Sequence, residues 1–280
     1  MQTEKYITYS VIFLVVIYCA YYMVVHINNS MLFMPGKVTK QDYINFCEKH
    51  KDNFVPYSFL AKDGTKLKGG LYNSIKTPEW SDKIFFYSHG NSGWLGTVYD
   101  APVVKILCNY GSVFTYDYRG YGISEGNPSE TGLESDVLGA WNYVTKYTEP
   151  DKIIVAGHSL GSGVSCKLLS YLHKTNQVLP QHLILNAPFS SIRDMAHHVL
   201  PILSKLTIYE FDNMKNLQHV NKKLNICILH SKDDEIIPYS QAIKLSKSVN
   251  CKFFEIEGNH NNAQYTPEAL EYLKYISNNT

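Results

Sequence analysis

The chain has almost no net charge: 26 lysines and arginines against 25 acidic residues leave +1 over 280 residues. That balance provides no electrostatic pull toward nucleic acid or another polyanion, and nucleic-acid binding is disfavoured. The six cysteines, at positions 19, 47, 108, 166, 227 and 251, show no CxxC and no metal-ligand spacing. Cys166 and Cys227 lie inside apolar segments and read as small buried hydrophobes. A phosphate loop is missing too. Gly120, Gly122 and Gly126 follow Asp117-Tyr118-Arg119, but no Lys-Ser/Thr pair follows and no helix opens at once. A structural loop is expected there, with Asp117 and Arg119 bracing the rim of a site.

From Ile7 to Val25 charge is absent altogether. Nineteen helical residues at about 1.5 Å each come close to the thickness of a bilayer's hydrocarbon core, roughly 30 Å. Tyr6, Tyr9, Tyr21 and Tyr22 stand near the two ends, where aromatic side chains favour the membrane interface. No A-x-A-like cleavage site lies between Ala20 and Ser30, which favours an uncleaved anchor over a signal peptide. Lys5 on one side and Lys37 and Lys40 on the other leave the orientation open. The sequons at Asn28 and Asn278 matter only if the domain faces a lumen. The organisation expected is a membrane anchor over 1–27, a linker over 28–50 and one domain over 51–280.

That domain alternates β-rich apolar runs with helical patterns. Strands at 55–60 and 66–72 flank Lys62-Asp63-Gly64-Thr65, a hairpin signal. Strands are expected at 83–88, 112–117, 152–156, 182–186, 225–230 and 252–256. Helices are expected from about Thr97, over 131–147, from Leu160, over 240–249 and over 267–276. Continuous apolar strands alternating with helices imply an α/β fold, a mostly parallel sheet covered on both faces. Ligands in such sheets bind at the carboxyl ends of the strands.

Three of those ends carry chemistry. Gly157-His158-Ser159-Leu160-Gly161 is G-x-S-x-G between a strand and a helix, the context in which that motif exposes a nucleophilic serine on a strained turn. Gly157 and Gly161 relieve collisions around it, Gly163 lets the helix approach the sheet, and His158 points away from the reacting centre. A serine needs a base, and the base needs an orienting acid. Asp233, Asp234 and Glu235 follow the strand ending at His230, with Asp234 favoured; His260 follows the last strand. Of the eleven histidines only His260 has that placement. An oxyanion hole is expected from the backbone N–H groups of Asn91, in Ser88-His89-Gly90-Asn91-Ser92-Gly93, and of Leu160.

SHGNSG, FTYDYRGYGISEGNPSE, VAGHSLGSG, NAPFSSI, LHSKDDEIIP and EGNHNN together resemble the α/β-hydrolase superfamily, over the chain from about Phe54 to its end. Within it the resemblance is to membrane-anchored serine hydrolases: lysophospholipases, monoacylglycerol lipases and protein depalmitoylases. It implies an eight-stranded, mostly parallel sheet with helices on both faces, behind an N-terminal transmembrane helix. It also implies Ser159 as nucleophile, Asp234 as acid and His260 as base. Ser231 stands where the acid-loop pattern usually has glycine, and Asn259 where glycine or alanine is commoner before the histidine.

Ester or thioester hydrolysis through an acyl-enzyme, without metal or organic cofactor, is therefore expected. The substrates would be long-chain acyl lipids or acylated proteins, with a peptidase or small-ester hydrolase, or a silent tethered protein, as alternatives. Residues 191–224 are too long for a plain crossover. Met195, Val199, Leu200, Ile202, Leu203 and Leu206 would make them a small lid over an acyl pocket.

Overall fold

Residues 2–32 contain neither proline nor glycine, and nothing stops the helix they start. In the computed structural model, which describes residues 2–72, 83–199 and 201–280, they form one helix, α1 (Gln2–Leu32). Its Tyr9–Leu32 stretch has a mean hydropathy of 2.2, is not buried, and is long and apolar enough to cross a membrane. α1 runs five residues past the expected end of the anchor. The expected linker therefore starts as helix, and it also holds α2 (Lys40–Lys49). Thr39 caps α2: its hydroxyl accepts from the Asp42 amide, and Asp42 reaches back to the Thr39 N–H.

The eight strands of the main sheet are β1 (Phe54–Leu60), β2 (Lys66–Tyr72), β3 (Ile84–Ser88), β4 (Ser112–Tyr116), β5 (Ile153–His158), β6 (His182–Asn186), β7 (Asn225–Ser231) and β8 (Cys251–Ile256), and Met34–Pro35 pairs separately, in parallel, with Ser92–Gly93. They pair in the order β8-β7-β6-β5-β3-β4-β2-β1. β1 and β2 are antiparallel, β2 is antiparallel to β4, and every other pairing is parallel. Gly64, at φ +90°, makes the hairpin turn that Lys62-Asp63-Gly64-Thr65 announces.

Adjacent residues of the inner strands serve opposite layers, as a period of two requires. Phe86, Val155, Leu183 and Ile228 pack with α5 (Glu130–Val144), α6 (Leu160–Lys174) and, later in the chain, α9 (Tyr239–Ser248). Phe85, Ile154, Ile184 and Leu229 pack on the other side, with α3 (Leu95–Tyr99), α4 (Pro102–Leu107) and α10 (Pro267–Asn278). The single helix expected from Thr97 is two short ones. Pro102 cannot donate to a preceding turn and instead opens α4.

Between β6 and β7 the chain forms α7 (Ile192–Val199), a 3₁₀ turn at Leu203–Leu206 and α8 (Asn213–Leu217). Met195 packs against the core, whereas Val199, Ile202 and Leu206 face outward. Leu200 lies outside the described residues. The apolar residues expected to line an inner pocket are thus divided between core and surface.

Candidate active site

Register brings the strand ends together. Ser88 of β3 pairs with Gly157 of β5, and His158 of β5 pairs with Asn186 of β6. Loops leaving β3, β5 and β6 therefore start side by side in the middle of the sheet. β7 and β8 continue the row, with Ser231 opposite Ile256.

At the end of β5 Ser159 has φ 53° and ψ −120°, a left-handed region that costs a residue with a side chain on the order of 1–3 kcal/mol. The surroundings hold it there: its N–H donates to Asn186 O at 3.0 Å, and its carbonyl accepts from the Ser162 hydroxyl at 2.6 Å. A Cβ on Gly157 would lie 2.3 Å from Gly161 O, and one on Gly161 would lie 1.9 Å from Ser88 O. Neither could be accommodated, which is why glycines flank the serine. Gly163 has another reason. A Cβ there would meet the rings of Phe211 and Phe189 at 2.9 and 3.0 Å, so the helix is thinned for the segment after β6 and not for the sheet.

His260 and Asp234 meet across their two loops, with Nδ1 2.8 Å from Oδ2 and both side chains buried. The other carboxylate oxygen of Asp234 accepts from the amides of Ile236 and Ile237, at 2.9 and 2.8 Å. Burial by itself raises this carboxyl's pKa, but the His260 and backbone bonds outweigh it and hold the group below its ordinary value. Glu235 has a different place: its carboxylate accepts the His260 backbone N–H at 3.0 Å. Asp233 does not meet His260; its own N–H is taken by the Ser231 hydroxyl. His230 packs under the acid loop, with Nε2 2.9 Å from Ile237 O. Among the described residues no hydrogen bond joins Ser159 Oγ to His260, and such bonds are often long before substrate is bound.

The loop after β3 is held by its carbonyls. Tyr118 donates to His89 O at 2.7 Å, Tyr121 donates to Asn91 O at 2.8 Å, and His89 Nδ1 lies 2.8 Å from Gly90 O. In a trans peptide N–H and C=O point opposite ways, so fixing Gly90 O also fixes the direction of the Asn91 N–H. Burial lowers the His89 pKa to about 4, opposed only by its contact with the Gly90 carbonyl, and the ring therefore stays neutral. A Cβ on Gly90 would lie 3.7 Å from Ser159 Cβ, which puts this loop beside the serine. The Leu160 N–H opens α6, where first-turn amides lack helical partners and carry the positive end of the helix dipole.

His158 differs from expectation. Its ring lies against His260, centroids 4.8 Å apart, and Nδ1 is 2.9 Å from the Asn186 amide nitrogen. An amide nitrogen donates only, so Nδ1 accepts. Burial first, then the His260 charge, lower the pKa of His158 to about 3. Its position before the serine carried no hint of this contact, because β6 and the last loop supply it. Asp117 and Arg119 also part company. Asp117 accepts the Leu95 N–H at 2.7 Å, just beyond the loop, whereas Arg119 ties Asp136 of α5 to the Asp63 turn, each at 2.8 Å. Among the described residues no group of three or more His, Cys, Asp or Glu is arranged to hold a metal ion.

The family described as "Serine aminopeptidase, S33" matches residues 81–216. An uncharacterised protein, R595, of Acanthamoeba polyphaga mimivirus is 30% identical, over 91% of this chain and 93% of its own. A lysophosphatidylserine lipase, ABHD12, of Danio rerio is 33% identical over 62% of this chain and 53% of its own, and the Bos taurus protein of that name is 33% identical over 59% and 45%. The chain thus spans about half the length of those lipases. Among solved structures, a Pyrococcus furiosus esterase superposes with TM-score 0.65 at 15% identity, over 88% of this chain and 96% of its own. An alpha-beta hydrolase of Vibrio vulnificus gives 0.65 at 19%, over 86% and 85%.

Proposed function

The chain belongs to the α/β-hydrolase superfamily, among its ester-cleaving serine hydrolases, and from that we propose that Ser159, His260 and Asp234 form its catalytic triad. Ser159 Oγ attacks the ester or thioester carbonyl while His260 takes the hydroxyl proton. Asp234 holds the imidazole by Nδ1 and stabilises its charged form. The N–H groups of Asn91 and Leu160 receive the oxyanion, a contribution of about 10²–10³ in turnover per donor. As the acyl–oxygen bond of an ester or the acyl–sulfur bond of a thioester breaks, His260 gives its proton to the leaving alcohol or thiol. Water then attacks the acyl-enzyme, loses its proton to His260 and releases the acid and Ser159. The observation that supports this most is the buried Asp234–His260 pair at 2.8 Å, beside a serine held on a strained turn. Labelling by a fluorophosphonate tests it: the parent protein should react, and equal labelling of Ser159→Ala would refute the assignment.

For substrate we propose long-chain acyl esters with a lysophospholipid-like head group, acting from a membrane to which α1 anchors the domain. The lysophosphatidylserine lipases are so named, and α1 has the length and apolarity of a span. Cleavage of acylated proteins needs only the same chemistry. A peptidase is the second reading, favoured by the description of the matching family. Assaying lysophospholipids, monoacylglycerols, p-nitrophenyl esters and aminoacyl amides side by side separates the two. Turnover of aminoacyl amides alone would reject the lipid reading.

A further inference from the structure

The segment between β6 and β7 is fixed at one end and bare at its crest. Glu130 on α5 accepts the N–H groups of Glu210 and Phe211, both at 2.8 Å, and Phe211 is buried against Gly163 of α6. On the crest, Ile202 is 89% exposed, Val199 58% and Leu206 52%. These three large aliphatic side chains, exposed within eight residues of chain, point to a contact surface.

The position of α1 says what covers it. Asn28 donates from Nδ2 to Leu206 O at 3.1 Å, and its Oδ1 accepts from the Ile208 N–H at 3.2 Å. Tyr209 bonds to Asn29, and its ring meets Phe33 with centroids 5.4 Å apart. Asn28 comes three residues after Val25, the last of the uncharged apolar run, which is about 4.5 Å along a helix. The headgroup region is on the order of 5 Å or more deep on each side of the hydrocarbon. A bilayer around α1 therefore reaches Leu206 and Ile208. Exposed Lys205, within the same segment, suits anionic headgroups.

We propose that Val199 and residues 201–208 rest in the headgroup layer as a second membrane contact, held against the span by Asn28 and Asn29. This rests on the membrane-anchored reading of α1. The β6–β7 connection that carries this contact leaves β6 at Asn186, whose carbonyl accepts the Ser159 N–H, so crest and nucleophile hang from neighbouring strand ends.

Tryptophan quenching by brominated phospholipids in vesicles tests the contact, using the full chain. Ile202→Trp should be quenched beyond the parent protein, as should Tyr18→Trp within α1. Quenching of Tyr18→Trp with Ile202→Trp reached only by aqueous acrylamide would overturn the second contact and leave the anchor standing. An Ile202→Trp signal quenched by neither agent would mean that a protein surface, such as a second copy, covers the crest, and would also overturn it. No lipid quenching of Tyr18→Trp would remove the anchor and this proposal with it. In activity, Ile202→Glu with Leu206→Glu should slow hydrolysis of lysophospholipid in vesicles about tenfold or more per side chain. Turnover of a soluble short-chain ester should stay unchanged, and equal loss on both substrates would count against a membrane role.

Discussion

Replacing Gly161 by alanine adds one carbon at the tightest point of the site. That Cβ would lie 1.9 Å from Ser88 O, 2.5 Å from Ser88 C and 2.6 Å from His89 O. All three are backbone atoms, so no side chain can swing aside, and the end of β3 or the start of α6 must retreat by more than an ångström. Overpacking of this kind costs about 1–3 kcal/mol, with this case toward the upper end. In a chain of this size each kcal/mol lowers the melting temperature by about 2–4 °C. The same movement separates the Asn91 and Leu160 amides, and an ångström of misplacement costs on the order of 10²-fold in rate. Gly90→Ala is the control within the same site: its nearest neighbours, His158 Cδ2 at 3.4 Å and Ser159 Cβ at 3.7 Å, are at ordinary contact distance. Melting followed by circular dichroism, together with kcat on a short-chain ester, should show Gly161→Ala impaired in both. Gly90→Ala should remain within a few-fold of the parent. If the two alanines behave alike, the close approach does not govern the site.

Asp234→Asn should lower kcat about 10⁴-fold by giving His260 the wrong tautomer, whereas Asp233→Asn should retain most activity; the reverse ranking would identify the wrong carboxylate. His89 and His158 are held neutral in the folded chain, near 4 and 3, against an ordinary value of 6.5. The folded state thus binds fewer protons than the unfolded one. The stability they contribute is complete above about pH 6.5 and is lost as pH falls, by about 2 kcal/mol for each at about pH 5. Urea melts over that range should show the slope, and His158→Asn should flatten part of it; a flat parent profile contradicts the burial argument. Arg119→Ala leaves the buried Asp136 carboxyl unpaired and should cost about 3–5 kcal/mol in denaturant melts with kcat unchanged. A loss under 1 kcal/mol would show that the pair matters little.

The strands were legible because each is a short apolar run bounded by turn residues, and their alternation with helices implied the parallel sheet. The elbow was legible because Gly157, Ser159 and Gly161 sit between a strand and a helix, and His260 because it alone follows the last strand. Other features depend on neighbours distant in sequence. Asp233, Asp234 and Glu235 are chemically alike on paper, and the path of their loop sends Asp234 to Nδ1 of His260 and Glu235 to its backbone. His158 reads as a bystander until β6 and the final loop bring Asn186 and His260 against it. Val199, Ile202 and Leu206 are apolar in any reading, yet which way they face depends on Glu130 and Asn28 far along the chain. Local pattern determined the elements and the kinds of reactive group, since periodicity and turn chemistry act between near neighbours. The tertiary structure supplied the partner of each carboxylate, the histidine contact and the outward apolar face, because those depend on packing between segments from 26 to 178 residues apart.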